Sequence, residues 1–414
     1  MTSRESPRTG RIGRTAVVVA VVGVLAWCVW SFGFRTSAID LGPATWFVVS
    51  PSGRVIAVGR PDGSLAIVDS NGNGVDVASW GSANDGIALD RADTAYIVEG
   101  GDGSAAGSDG VKRSITRRRA GDVATTSIDV PVGTRLVPVV DGARERGPLE
   151  RDARRMLLAL RTSDRVAGLK WLELETLAIT DVPFALDGEI ARDVTAMPGQ
   201  QGFTLLCAPA DLPPRSGPIR LRVFDATGAP LHVVSDAAPV MPYWLPDTGT
   251  LLFERAAGGI SRFHPPDGKP VWVCDGRFTD VVDRGYIAVR DLTDAWVLVE
   301  KTDGDGYVQV AQIWPFESGA RRTRNLTTGL VHKFGLAVSF DHRFLAFRQV
   351  DGKVGLGAVD ERVVLVDQSA SYRSSTVVER RVDPAARDIG PEFPATEDVV
   401  LFVDRDRLWK SPVE

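Results

Sequence analysis

Residues 46 to 69 read WFVVSPSGRVIAVGRPDGSLAIVD, and no other stretch constrains the fold as tightly. Apolar runs alternate with polar positions around two turn clusters, Ser50-Pro51-Ser52-Gly53 and Arg60-Pro61-Asp62-Gly63. Alternation at period two turns every second side chain into a core, and Pro, Asp and Gly supply the φ values that reverse the chain. The stretch therefore predicts consecutive antiparallel hairpins. The same grammar returns in YWLPDTGTLLFERAAGGISRFHPPDG from Tyr243 and in AVSFDHRFLAFRQVDGKVGLGAVD from Ala337.

A unit recurring every ~40–60 residues signals a repeat architecture, and four short strands per unit indicate propeller blades. Units are expected at 46–79, 86–131, 136–184, 193–236, from Pro242 to VWVCDG, at 278–327 and at 334–368. The Gly/Ser-rich stretch 100–110 reads as a loop, and the charged insert GARERGPLERDAR reads as a solvent-facing excursion with a helical turn. Residues 369–391 read as a long polar connection. The tail from Pro391 holds three strands at most, and SAIDLG at 37–42 is a free strand-sized segment that can complete its blade. Closing a ring this way removes an unpaired edge. The expected fold is all-β, a single β-propeller over 37–414 with eight blades, seven being the alternative count.

Ahead of the strands, residues 1–14 carry four arginines against one acid, and residues 15–34 run without a charge. About 20 apolar residues at 1.5 Å rise span roughly 30 Å, the thickness of bilayer hydrocarbon. Trp27, Trp30, Phe32 and Phe34 weight the far end of the run, as at a membrane interface. The reading is a transmembrane signal-anchor at 15–34, with a cytoplasmic basic tail at 1–14 and everything after it on the periplasmic or extracellular side. A signal peptide cut near Thr36-Ser37-Ala38 is the alternative. A lipoprotein signal fits poorly, because Trp27 precedes Cys28.

The net charge of −5 on 414 residues excludes a molecule-wide field for nucleic acid. Three cysteines give no disulfide framework; Cys207 and Cys274 are either buried thiols or one bond. Asp69-Ser70-Asn71-Gly72-Asn73-Gly74 matches the first half of a calcium loop, making Asp69, Asn71, Asn73 and the off-register Asp76 candidate Ca²⁺ ligands. The twelfth loop position is Trp80 in place of a bidentate Glu, and Asn-Gly pairs also build hairpin turns. Lys301-Thr302-Asp303-Gly304-Asp305-Gly306 poses the same choice. In VKRSITRRR, Arg117, Arg118 and Arg119, with Lys112 and Arg113, form a basic cluster for an anionic ligand or for a charged, solvated blade edge. No aromatic residues interleave them, which argues against base stacking.

Three segments carry a family resemblance: Ser50-Pro51-Ser52-Gly53 with Val55-Ile56-Ala57-Val58, Leu245-Pro246-Asp247 with Leu251-Leu252-Phe253, and Ser339-Phe340-Asp341-His342 with Phe344-Leu345-Ala346-Phe347. They resemble blades of the TolB-type, WD-repeat-like propellers. The stretch QIWPFESGARRTRNLT is similar to that family's outer strands. The resemblance implies a blade and leaves the function open. The first expected blade follows almost directly on the apolar run, so no counterpart of the α/β domain of TolB-type propellers and no peptidase domain is expected, and the sequence has no G-x-S-x-G elbow. The expected function is a non-catalytic platform for a protein or cell-envelope ligand. The alternative is a metal-dependent hydrolase or lactonase at the channel mouth, using groups among Asp85, Asp193, Asp280, His332 and Glu392.

Overall fold

The computed structural model describes residues 38–77, 86–99, 113–119, 124–138, 146–150, 152–162, 165–210, 218–239, 242–245, 249–257, 260–263, 271–274, 286–289, 295–302, 307–313, 323–325, 327–339, 343–351, 359–367, 373–382, 391, 399–404 and 407–413. The expected membrane helix at 15–34, its basic lead, the 100–110 loop and the turn at 303–306 lie outside these residues. Among the described residues, no helix is long and apolar enough to cross a membrane. Helix there is limited to the 3-10 turn Pro198–Gln200.

After the short strand β1 (Ile39–Pro43), β2 (Trp46–Val49), β3 (Val55–Gly59), β4 (Leu65–Asp69) and β5 (Gly74–Val77) build an antiparallel meander. The next meander is β6 (Ile87–Leu89), β7 (Thr94–Glu99), β8 (Arg113–Arg119) and β9 (Thr126–Val130). The chain continues with β10 (Thr134–Val137), β11 (Arg146–Pro148), β12 (Arg155–Arg161), β13 (Val166–Glu173) and β14 (Ile179–Val182). Of these, β10, β12, β13 and β14 pair in that order. β15 (Glu189–Ala196), β16 (Gly202–Pro209), β17 (Ile219–Asp225) and β18 (Pro230–Ala237) follow, and the pair Val166–Ala191 joins them to β13 as one eight-stranded sheet.

Three further four-stranded meanders come next. The first is β19 (Tyr243–Leu245), β20 (Thr250–Glu254), β21 (Ile260–Phe263) and β22 (Val271–Cys274). The second is β23 (Tyr286–Val289), β24 (Ala295–Thr302), β25 (Val308–Ile313) and β26 (Thr323–Asn325). The third is β27 (His332–Val338), β28 (Phe344–Asp351), β29 (Val359–Asp367) and β30 (Arg373–Val382). At the C-terminus β31 (Val399–Asp404) pairs with β32 (Arg407–Pro412), and β1 pairs with the free side of β32.

That last pairing is the seam expected from SAIDLG. β1 runs antiparallel to β32, with Ile39 opposite Lys410 and Pro43 opposite Arg407. Arg407 Nε donates to Asp40 Oδ2 at 2.6 Å across it. The tail contributes two described strands, and the other end of the chain supplies the third.

Alternation then builds the core between sheets. Phe47, Val49, Ile56 and Val58 pack on Leu401 and Leu408 of the closing sheet. Val48, Val55 and Ala57, on the opposite face, pack on Ile87, Leu89 and Ile97. Ala88, Tyr96 and Ile115 meet Met156, Leu158 and Leu172. Leu157 and Trp171 meet Phe203, Leu205 and Phe224. Leu206 and Leu221 meet Trp244, Leu251 and Phe253. The sheet of β27–β30 covers the closing sheet's other face through Phe344 and Leu365 against Val400 and Phe402. From the closing sheet through β2–β5 and β6–β9 to the eight-stranded sheet, each sheet is thus covered on both sides, while these contacts cover one side of β19–β22 and one side of β27–β30.

Two expectations fail here. The insert GARERGPLERDAR contains β11, which pairs in parallel with β6 on the side away from β7, placing Arg146 opposite Ile87. Leu149 explains it: its side chain is buried beside Ala88 and Met156, and its N–H donates to Leu89 O at 2.7 Å. The long polar connection at 369–391 contains β30, the outermost strand beside β29. An outer strand needs one paired neighbour and little burial, so the β-branched Thr376, Val377 and Val378 suffice among polar residues.

Candidate functional site

Two neighbouring sheets leave a cleft of about 750 Å³, lined chiefly by β7, β8 and the turn between β13 and β14. Register explains which side chains enter it. On antiparallel strands, directly opposed residues share a face. Thr94 lies opposite Arg119, Tyr96 opposite Arg117, and Arg117 opposite Thr126 on β9. All five line the cleft. Arg118 lies opposite Ala95, whose side chain packs into the core shared with the first meander, on the reverse face.

The three arginines read as one cluster are therefore split, with Arg117 and Arg119 in the cleft and Arg118 behind it. Their strand is no edge either, since β8 is flanked by β7 and β9. Arg113, expected in solvent, is 1% exposed. Period-two geometry could have predicted the split from RRR alone once the segment was assigned to a strand.

The cleft wall is held by hydrogen bonds. Arg117 Nη1 donates to Leu174 O at 3.0 Å and to Glu175 O, pinning the guanidinium on neutral carbonyls. Tyr96 Oη donates to Asp90 Oδ2 at 3.1 Å and reaches Leu174 O at 3.4 Å. Thr94 N donates to Asp90 Oδ1 at 2.9 Å, so both oxygens of Asp90 are engaged. Burial pushes the Tyr96 phenol up, reinforced by the Asp90 charge and hydrogen bond and opposed by Arg117. The phenol stays a neutral donor. Arg119, Arg154 and Glu175 are exposed at the rim.

Asp69, the lead calcium candidate, has another occupation. Its Oδ1 accepts from Asn71 N and Asn73 N, both at 2.9 Å, and Asn73 Nδ2 approaches Oδ2 at 3.5 Å. Partial burial alone would raise its pKa; these donors, with Lys410, outweigh burial and lower it. Asp225 repeats the device with Thr227 N at 2.8 Å and Ala229 N at 2.9 Å. A carboxylate aimed at its own turn's N–H groups is a hairpin fastener, and that is the chemistry of Asp69-Ser70-Asn71-Gly72-Asn73. The Asp76 side chain lies outside the described residues. Among the described residues no group of three His, Cys, Asp or Glu side chains is placed to hold a metal ion.

Of the channel-mouth candidates, Asp193 and His332 are described. Asp85, Asp280 and Glu392 lie outside the described residues. Asp193 forms an ion pair with Arg161 and accepts from Val194 N at 3.0 Å. His332 packs its ring on Tyr307 at 5.1 Å. Cys207 is a free, buried thiol rather than half of a disulfide. Burial, with the Glu189 charge, pushes it up to about 12, against the opposing pull of Arg222 and Arg220.

No family model and no curated protein matches the chain. Solved structures do. The WD40 domain of SCAP from fission yeast aligns at a TM-score of 0.54 and 10% identity, over 92% of this chain and 95% of that one.

The fold is a β-propeller.

The propeller also aligns with the Cps50 (Swd1) β-propeller domain of Myceliophteria thermophila, at a TM-score of 0.44 and 11% identity over 92% and 99% of the two chains. The putative TolB of Agrobacterium tumefaciens aligns at 0.36 and 13% identity over 70% and 93%. At these identities the likeness concerns fold alone.

Proposed function

We propose that this propeller is a non-catalytic binding platform for a protein or cell-envelope ligand. The observation that carries the reading is the cleft beside β8. Three of its ionisable groups, Asp90, Tyr96 and Arg117, are held in place by hydrogen bonds, as suits recognition elements. The channel-mouth hydrolase is disfavoured because Asp193, its described carboxylate, is committed to Arg161.

The platform has eight blades in this reading, counting the eight-stranded sheet as two blades joined by Val166–Ala191. Residues 15–34 anchor it, residues 1–14 stay cytoplasmic, and the propeller stands on the periplasmic or extracellular side. The charge asymmetry around the apolar run supports that orientation.

Affinity capture of the full chain from solubilised membranes tests the function. One reproducible partner, lost when cleft residues are substituted, is the expected result, and repeated recovery of none would overturn it. Protease added to intact cells after removal of any outer barrier should degrade the propeller, and full protection would refute the orientation.

A further inference from the structure

We infer that the cleft beside β8 is an oxyanion site, taking the carboxylate or phosphate group of a small ligand between Arg117 and Arg119. This rests on the reading of the cleft as a recognition site and names the chemistry that it recognises.

Alternate residues on one face of a strand stand ~7 Å apart, close enough for two guanidinium groups to bracket one anion. Arg117 is fixed in advance. Its hydrogen bonds go to the carbonyls of Leu174 and Glu175, which orient the group without neutralising its charge. The side chain of Arg119 makes no hydrogen bond or ion pair with any described residue, and neither does that of Arg154 across the cleft. Thr94 and Thr126, opposite Arg119 and Arg117, bring hydroxyl donors to the same patch.

The lining also holds three carboxylates, Asp90, Glu173 and Glu175, against its three arginines, and none of the three is ion-paired to Arg117 or Arg119 among the described residues. Asp90 has both oxygens engaged, by Thr94 N and Tyr96 Oη. Glu173, at the end of β13, and Glu175, in the turn after it, lie on the opposite wall, and neither carboxylate pairs with Arg117 or Arg119 among the described residues. They leave the far end of the cleft suited to a donor or cationic group on the same ligand. Arg118, on the reverse face, takes no part.

Calorimetric titration of the purified full chain tests the site, with inorganic phosphate and succinate as separate probes at constant ionic strength. The Arg119→Gln and Arg154→Gln variants alter exposed side chains, and Arg118→Gln serves as the control. Saturable binding of at least one probe, weakened at least tenfold by Arg119→Gln and unchanged by Arg118→Gln, is expected. Whichever probe binds more tightly identifies the anion as phosphate or carboxylate. No saturable binding of either, or equal loss in the Arg118 and Arg119 variants, overturns the inference. Partner capture reads separately: a partner recovered without anion binding sinks this site and spares the platform, and the converse sinks the platform alone.

Discussion

Ser50 is 3% exposed, and its hydroxyl accepts from Val55 N at 3.3 Å while donating to Asp93 Oδ1 at 3.1 Å. The first bond closes the Ser-Pro-Ser-Gly turn between β2 and β3; the second crosses to the turn before β7. Asp93, at a φ of 63°, also accepts from Ser52 and pairs with Arg54 at 3.1 Å. Ser339 repeats the intra-turn half of the device, accepting from Phe344 N at 2.9 Å. Hydrogen bonds to charged acceptors contribute about 1.5–3 kcal/mol and neutral ones about 1. Ser50→Ala should therefore destabilise by roughly 2 kcal/mol, read from urea-denaturation midpoints. A loss of no more than about 1 kcal/mol would show that the contact with Asp93 contributes nothing.

At the scale of elements, the hairpins joined at Asp69 and Asp225 depend on ionised carboxylates. Both groups titrate below the ordinary carboxylate value of 3.8. A lowered folded-state value means that the turn's contribution is complete above the unfolded value and is lost as pH falls through the lower folded one. Glu150 has the opposite sign. Burial raises it, against the Gly199 N–H, so its penalty at neutral pH is relieved on acidification. The Asp69→Asn, Asp225→Asn double variant keeps an acceptor oxygen in each turn and removes the titration. Its melting temperature should fall less than that of the parent chain between about pH 5 and pH 2.5. An identical fall would refute the assignment.

The same elements show what the sequence disclosed. β2–β5 were legible because alternation and turn residues agree over the whole stretch. β30 was not, since an outer strand of Ser, Glu and Arg looks like a loop. β11 was hidden because its hold on β6 depends on one buried leucine, Leu149, following a charged run. The cleft was half legible. RRR flagged charge, but Tyr96, Arg117 and the Leu174 carbonyl come from separate segments that meet only once two sheets stack.

For the whole molecule, integrity rests on the seam between β1 and β32. Asp40 and Arg407 are 32% and 46% exposed, so their ion pair contributes little, about 0–1 kcal/mol. The backbone pairing and Leu408, fully buried between the closing sheet and the first, carry the closure. Deleting residues 38–43 should lower the melting temperature by several degrees and split one unfolding transition into more than one, whereas Asp40→Ala should leave the scan nearly unchanged. A single transition at the parent temperature after the deletion would show that the ring does not need the seam.

Because Ile39 lies opposite Lys410, the two ends of the described strand array are near neighbours, and a few added residues could fuse them. The gene could then begin elsewhere, for example at the exposed Asp62-Gly63 turn between β3 and β4, and still encode the same set of strand pairings. The architecture is indifferent to its own starting point.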